Sequence, residues 1–184
     1  MKTVNKLFAS TIEVKRSKFH SFLLPFSSFE DTLKEFKKRH LKANHFVTAF
    51  RYLNENNQIV EGSSDDGEPR GSSGKPTLKV LQGHNLINVG IITIRYFGGV
   101  LLGVGGLVKA YSDVANEVVK NADLIDYAPV FEFEFEVEYN KTREIEYLFK
   151  KFEIFVVDRG FGEKGIRYLI RDKNEKIQKI KEIL

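Results

Sequence analysis

Two glycine-rich segments hold most of the residues that could do chemistry in this sequence. The first, Asp65 to Pro76, reads DDGEPRGSSGKP. Its Gly-Lys pair invites comparison with a phosphate-binding P-loop, which needs a glycine, four residues and then Gly-Lys-Ser/Thr. Pro69 stands where the first glycine is required, and Pro76 replaces the hydroxyl residue. Proline also removes an N–H where phosphate cradling needs donors, so a P-loop is excluded. Asp65, Asp66 and Glu68 are of the type that holds a hard cation, but they lack the EF-hand spacing. They read as a structured acidic turn.

The second segment, Arg95 to Tyr111, reads RYFGGVLLGVGGLVKAY. It follows an apolar run and opens an amphipathic one, the setting in which a helix N-terminus holds an anion. It departs from the dinucleotide fingerprint, because Val108 takes the third glycine position after Gly103 and Gly105, and no repeated βαβ pattern surrounds it. Two readings stay open. The glycines at 98, 99, 103, 105 and 106 either permit positive φ and tight helix–strand packing, or form a backbone nest for phosphate flanked by Arg95 and Lys109. His45, at the approach to a strand, is likewise either a buried hydrogen-bonded histidine or a site residue. No G-x-S-x-G elbow exists, so no serine triad is indicated. The candidate binding surface is therefore His45, Asp66, Glu68, Lys75, Arg95 and Lys109. Lys75, Arg95 and Lys109 would meet phosphate, and Asp66 and Glu68 would orient them or hold Mg²⁺. No catalytic residue, resident metal site or cofactor is assigned.

The elements that must position these residues follow from periodicity. Thr11 to Leu24 alternates loosely, as one or two strands. Ser27 and Ser28, with Glu30 and Asp31 three residues on, predict a capped helix. That helix carries Phe29, Leu33 and Phe36 on one face and Lys34, Lys38 and Lys42 on another. Phe46 to Leu53 predicts a strand, Asn54 to Gln58 a turn, and Glu61 to Pro76 a long polar loop. Val89 to Tyr96 is a nearly continuous β-branched run, the pattern of a buried strand. Leu107, Tyr111, Val114 and Val118 recur at helical spacing, predicting a helix from about Leu107 to Ala122. Asp123 to Pro129 reads as a linker, dividing the chain into residues 1–127 and 128–184.

Beyond the linker, FEFEFEVE (131–138) alternates strictly. This puts Phe131, Phe133, Phe135 and Val137 on a core and four glutamates in water. Asn140 is placed to cap a helix bearing Ile145, Leu148, Phe149 and Phe152. Ile154 to Val157 and Ile166 to Arg171 predict strands, joined by a turn from Arg159 to Gly165, and Lys173 to Leu184 a last helix. The order β-α-β-β-α is a ferredoxin-like unit without its final strand. In that topology the first and third strands are antiparallel neighbours, so Arg167 and Arg171 share a face with Glu132, Glu134 and Glu136.

Composition narrows the function classes. The absence of cysteine excludes disulfides, thiolate zinc sites and a cysteine nucleophile, and the four histidines form no zinc spacing. No run approaches the ~20 apolar residues of a membrane span, and no signal peptide is read, so a cytoplasmic protein is expected. The net charge of +4 lies within residues 1–129, while residues 130–184 sum to zero. The excess is either an ordinary solubilising surface or the footprint of an anionic partner.

The two glycine-rich segments, in this order, resemble the YigZ/IMPACT family, whose hallmark is similar to DDGEPSGTAGKP, a buried strand, then RYFGG-x-KLG-x-GGLVRAY. The resemblance covers roughly residues 10–122, with His45, Ser17 and Phe19 at matching places, and residues 130–184 are similar to the small second domain of stand-alone bacterial members. It departs at Ser72 and Ser73 for Thr-Ala, at Leu101 for lysine and at Lys109 for arginine, which keeps charge but loses bidentate geometry. The resemblance implies an α+β protein. Its first domain would be like domain 2 of ribosomal protein S5, also seen in domain IV of elongation factor G. Its second would be ferredoxin-like, similar to the last domain of that factor. It implies a translation-associated, non-enzymatic protein that binds RNA or the ribosome. The alternatives are an enzyme acting on a small phosphorylated or nucleotide ligand, or a protein-interaction module. Eukaryotic relatives carry an additional RWD domain, for which this chain has no room.

Overall fold

The computed structural model describes Met1–Leu184 and divides into two units, Met1–Tyr127 and Ala128–Leu184. The first runs β1 (Lys2–Thr3), β2 (Phe8–Val14), β3 (Ser17–Pro25), α1 (Phe29–Arg39), β4 (His45–Leu53), β5 (Ile59–Ser64), α2 (Gly74–Gly83), β6 (Val89–Tyr96), α3 (Gly103–Lys120) and β7 (Ile125–Asp126). Five strands form one sheet in the order β2-β3-β6-β4-β5, with every neighbouring pair antiparallel. β1 and β7 pair separately.

β6 is apolar on both sides because it is the central strand and both faces of the sheet are covered. On one face Leu24, Ile92 and Ile94 pack with Phe29, Leu33 and Phe36 of α1. On the other, Leu23, Ala49, Val89 and Ile91 meet Val80 and Leu81 of α2 and Ala115, Val118 and Val119 of α3. Towards the start of α3 this layer continues as Phe19, Val47, Leu107, Ala110, Tyr111 and Val114. Alternation along β6 therefore aims Arg95 at the α2–α3 side.

Several expectations need correction. The stretch from Glu61 to Pro76 is not one loop: β5 extends through Ser64, and α2, unassigned from the sequence, begins at Gly74. Gly-Lys-Pro reads as a breaker, yet proline is tolerated in a first helical turn, where the N–H has no intrahelical partner. α3 begins at Gly103 rather than Leu107, so Gly105 and Gly106 are helical. No side-chain cap bond forms at Ser28; its hydroxyl donates to the Pro25 carbonyl instead.

The second unit runs β8 (Val130–Glu138), α4 (Thr142–Phe152), β9 (Phe155–Phe161), β10 (Gly165–Lys173) and α5 (Asn174–Lys181). β9 reaches Phe161, so the turn that follows is shorter than the sequence suggested. Asn140 does not cap α4 but donates to Glu138. The sheet order is β8-β10-β9, with β8 and β10 antiparallel in a register that sets Arg171 opposite Glu132 and Arg167 opposite Glu136. Arg171 pairs with Glu132, and Arg167 reaches diagonally to Glu134 at 3.1 Å, so the predicted pairing of this face is present. Beneath it Tyr168 and Ile170 are fully buried among Val137, Ile145, Phe149, Ile166 and Ile177.

Candidate functional site

The site is built on one cross-strand row. Phe19 of β3 and His45 of β4 lie directly opposite Arg95 of β6, one on each side, and all three project to the α2–α3 face. An arginine there is enclosed by sheet and helix and needs a counter-charge. Glu68 supplies it: Arg95 Nη1 donates to Glu68 Oε1 at 2.6 Å, with the two side chains only 6% and 3% exposed. The same Oε1 accepts the Tyr111 hydroxyl of α3 at 2.8 Å. Burial, and then the Glu68 charge, push the Tyr111 pKa far up, so it stays a donor. Arg95 Nη2 reaches Ser17 Oγ at 3.4 Å, and its guanidinium lies 5.4 and 5.7 Å from the Phe19 and Phe97 ring centroids.

The loop between β5 and α2 delivers Glu68 because its other two carboxylates tie it down. Asp65 accepts the backbone N–H groups of Gly71, Ser73 and Gly74, at 2.7, 3.1 and 2.8 Å, and the Ser73 hydroxyl at 2.8 Å. It thereby closes the loop into a ring and places a negative charge at the N-terminus of α2, where the helix dipole favours it. Asp66 Oδ2 takes the N–H of Phe46 at 2.6 Å, and its carbonyl faces His45 Nδ1 at 2.8 Å. All three carboxylates are thus engaged by protein donors, and no three His, Cys, Asp or Glu side chains converge as metal ligands. Gly74 is required at its position, since a Cβ there would lie 2.8 Å from the Ser64 backbone.

Burial alone would raise the Asp65 pKa, but the hydrogen bonds from Gly71, Gly74 and Ser73 outweigh it and hold the pKa below the ordinary 3.8. Asp65 stabilises the fold fully above its unfolded value, and that contribution is lost as pH falls through the lower folded value. Asp65→Asn is expected to lower stability at neutral pH and to flatten the loss of stability below about pH 4. Denaturant unfolding of both proteins across pH checks this.

Above the row lies a pocket of 430 Å³. His45, Glu68, Arg95 and Asn44 line its polar side, and Phe97, Leu101, Leu102, Val104 and Leu107 its apolar side. The loop after β6 and the start of α3 form this wall, and Gly98 anchors the loop by donating its N–H to Ser17 Oγ at 3.1 Å.

Of the six candidate residues, the structure brings four together: His45, Asp66, Glu68 and Arg95. Lys75 and Lys109 do not join them. Lys75 is exposed and lines a separate 590 Å³ groove between α2 and α3 with Lys79, His84, Val108, Ser112 and Asn116. Lys109 lies outside both hollows, largely in solvent, paired with Asp113 at 2.8 Å one turn along α3. The expectation that Arg95 meets phosphate with these lysines is therefore corrected, because its charge is buried against Glu68. Sequence reasoning missed Ser17, Asn44 and Tyr111 as partners of the site. Tyr111 carried a signal, as a hydroxyl on an otherwise apolar helix stripe needs a buried acceptor.

Residues 15–119 match the family described as the Impact N-terminal domain, more than half of the chain. The chain belongs to the IMPACT family. An IMPACT family member from Haemophilus influenzae is 32% identical over 152 residues, 81% of this chain and 74% of that protein. The IMPACT family member YigZ from Escherichia coli is 33% identical over 139 residues, 74% of this chain and 68% of its own. A crystal structure of a hypothetical protein superposes with a TM-score of 0.70 at 25% identity, covering 97% of this chain and 87% of that one. The IMPACT family match contains all six candidate residues together with Ser17, Asn44 and Tyr111. The two motifs that carried the resemblance are joined in space by Glu68, through Arg95 and Tyr111.

Proposed function

We propose that this chain is a translation-associated regulatory protein of the cytoplasm that binds RNA or the ribosome through its first unit. One observation carries the reading. The groove between α2 and α3 is lined by Lys75, Lys79 and His84, with Ser112 and Asn116 beside them, and by no carboxylate. Neither lysine has an acidic partner within salt-bridge distance, and the net positive charge of the chain lies in this unit. A cationic hollow with hydroxyl and amide groups suits a phosphate backbone. Supporting analogy comes from the folds. The five-stranded antiparallel sheet with helices on both faces is read as like domain 2 of ribosomal protein S5. The β8-β10-β9 sheet with its two helices is read as ferredoxin-like and lacking a final strand.

The enzyme alternative asked for Asp66, Glu68, Lys75 and Arg95 in one cleft. With Lys75 in the other hollow and Arg95 neutralised, a phosphorylated substrate has no free cation beside Glu68. The protein-interaction alternative rests on Phe97, Val100, Leu101 and Val104, which are exposed in succession after β6; a stable complex insensitive to salt would favour it.

Co-sedimentation with ribosomes at two salt concentrations tests the main reading. Binding is expected at low salt and should fall steeply as salt rises. Lys75→Glu with Lys79→Glu is expected to weaken it, reducing the slope of log affinity against log salt by about 1.4 on single-stranded RNA if both lysines meet phosphate. Absence of binding at low salt removes the proposal.

A further inference from the structure

We propose that the 430 Å³ pocket above His45 and Glu68 is a nucleobase site, selective for a base that presents two adjacent N–H donors, as the guanine edge does. The inference rests on the RNA reading for its class of ligand and assigns the pocket a part separate from the α2–α3 groove.

The polar side of the pocket fixes what can enter. His45 Nδ1 faces the Asp66 carbonyl at 2.8 Å. A carbonyl oxygen only accepts, so Nδ1 carries the hydrogen, and in the neutral ring Nε2 presents a lone pair. Glu68 Oε1 is occupied by Arg95 and Tyr111, while Oε2 accepts no hydrogen bond from the protein. Oε2 and Nε2 are 3.9 Å apart, too far to bond one another, and with the imidazole in its neutral form both are acceptors. A guest must therefore bring donors to both. Because Arg95 already balances the charge of Glu68, a neutral donor suits this position better than a cation.

The apolar side fixes the shape. Phe97 stands 44% exposed at the rim, and Leu102, Val104 and Leu107 offer a surface for the face of a planar ring. Unstacked RNA bases are recognised in this way, by an aromatic neighbour and by hydrogen bonds to an edge. The volume is that of an ordinary small-ligand site. Among the four RNA bases, guanine alone sets two N–H groups side by side, at N1 and N2. Adenine sets one donor beside one acceptor, cytosine one donor beside two acceptors, and uracil has one imino donor between two carbonyls.

The experiment is a ¹⁵N–¹H correlation titration of the full chain with GMP, IMP, AMP, CMP and UMP. All five carry the same ribose and phosphate, so differences among them belong to the base. GMP is expected to shift the amides of His45, Phe97 and Leu101 and to bind roughly tenfold or more tightly than IMP, which lacks the N2 amine facing an ionised acceptor. Leu101→Glu, at a position 83% exposed and so harmless to the fold, is expected to abolish those shifts by placing a carboxylate at the rim. Equal shifts with all five nucleotides, shifts confined to Lys75 and Lys79, or no shifts at all overturn the inference. Ribosome binding that survives such a result leaves the function proposed above standing. GMP binding without any ribosome or RNA binding sinks that function and leaves the pocket.

Discussion

Glu68→Gln is expected to destabilise the first unit by about 3–5 kcal/mol, the cost of leaving one member of a buried ion pair without its partner. The substitution preserves volume and an acceptor for the Tyr111 hydroxyl but removes the charge opposite Arg95. The guanidinium cannot turn to water, since Arg95 is 5% exposed, and its Nε already has no hydrogen-bond partner. Its remaining contacts are a 3.4 Å bond to Ser17 and the two aromatic rings. Arg95→Met alone should cost a similar amount, since it strands the Glu68 carboxylate. The double substitution should recover much of the loss, because no uncompensated charge then remains. Denaturant unfolding of the four proteins gives the coupling energy directly. Additive losses would mean that the two groups are not held as a charged pair.

Gly98→Ala carries the second large effect. A Cβ at Gly98 would sit 2.1 Å from the carbonyl carbon of Arg16, 2.3 Å from its oxygen and 2.4 Å from the nitrogen of Ser17. All three are backbone atoms of the β2–β3 hairpin, so no rotamer change relieves the clash. The segment after β6 must lift away, breaking the Gly98 bond to Ser17 and disturbing the wall of the pocket. A loss of about 3 kcal/mol, the upper end of ordinary overpacking costs, is expected. Gly105→Ala is the control, with nothing within 4 Å of the added methyl inside α3. There the better helix propensity of alanine should raise stability by up to about 1 kcal/mol. Thermal melts of the two variants should move in opposite directions.

That contrast shows how unevenly the second glycine segment could be read. Its glycines look alike in sequence. Gly99 and Gly103 do adopt positive φ, at 83° and 71°, and Gly98 serves close packing, but Gly105 and Gly106 are ordinary helical residues. Strict alternation made β8 and its glutamate face legible, and an unbroken apolar run did the same for β6. The α2 helix was hidden because Gly74 and Pro76 open it and because its cap is a carboxylate nine residues upstream, Asp65.

Half of the site was legible from strand alternation. In a strand covered on both faces, the alternation of Val89, Ile91, Thr93 and Arg95 already assigns the arginine to an interior layer, and an interior arginine requires a carboxylate. The mistake was to treat Arg95 as available to a ligand. The assignment of Lys75 to the same place failed because adjacency in a motif says little about direction once a helix begins. Glu68 points inward from the loop, while Lys75, at the second position of α2, follows the turn of the helix into another hollow.

β8 is an outer strand of its three-stranded sheet, so one side of its backbone has no partner strand within the unit. A sequence of alternating phenylalanine and glutamate in that position is a template for stacking between molecules. Charged side chains on an open edge discourage that pairing, and here Glu132 and Glu134 supply them as ion pairs with Arg171 and Arg167. Replacing these charged residues by apolar ones is expected to open the edge to intermolecular sheet growth, even where each molecule is still folded.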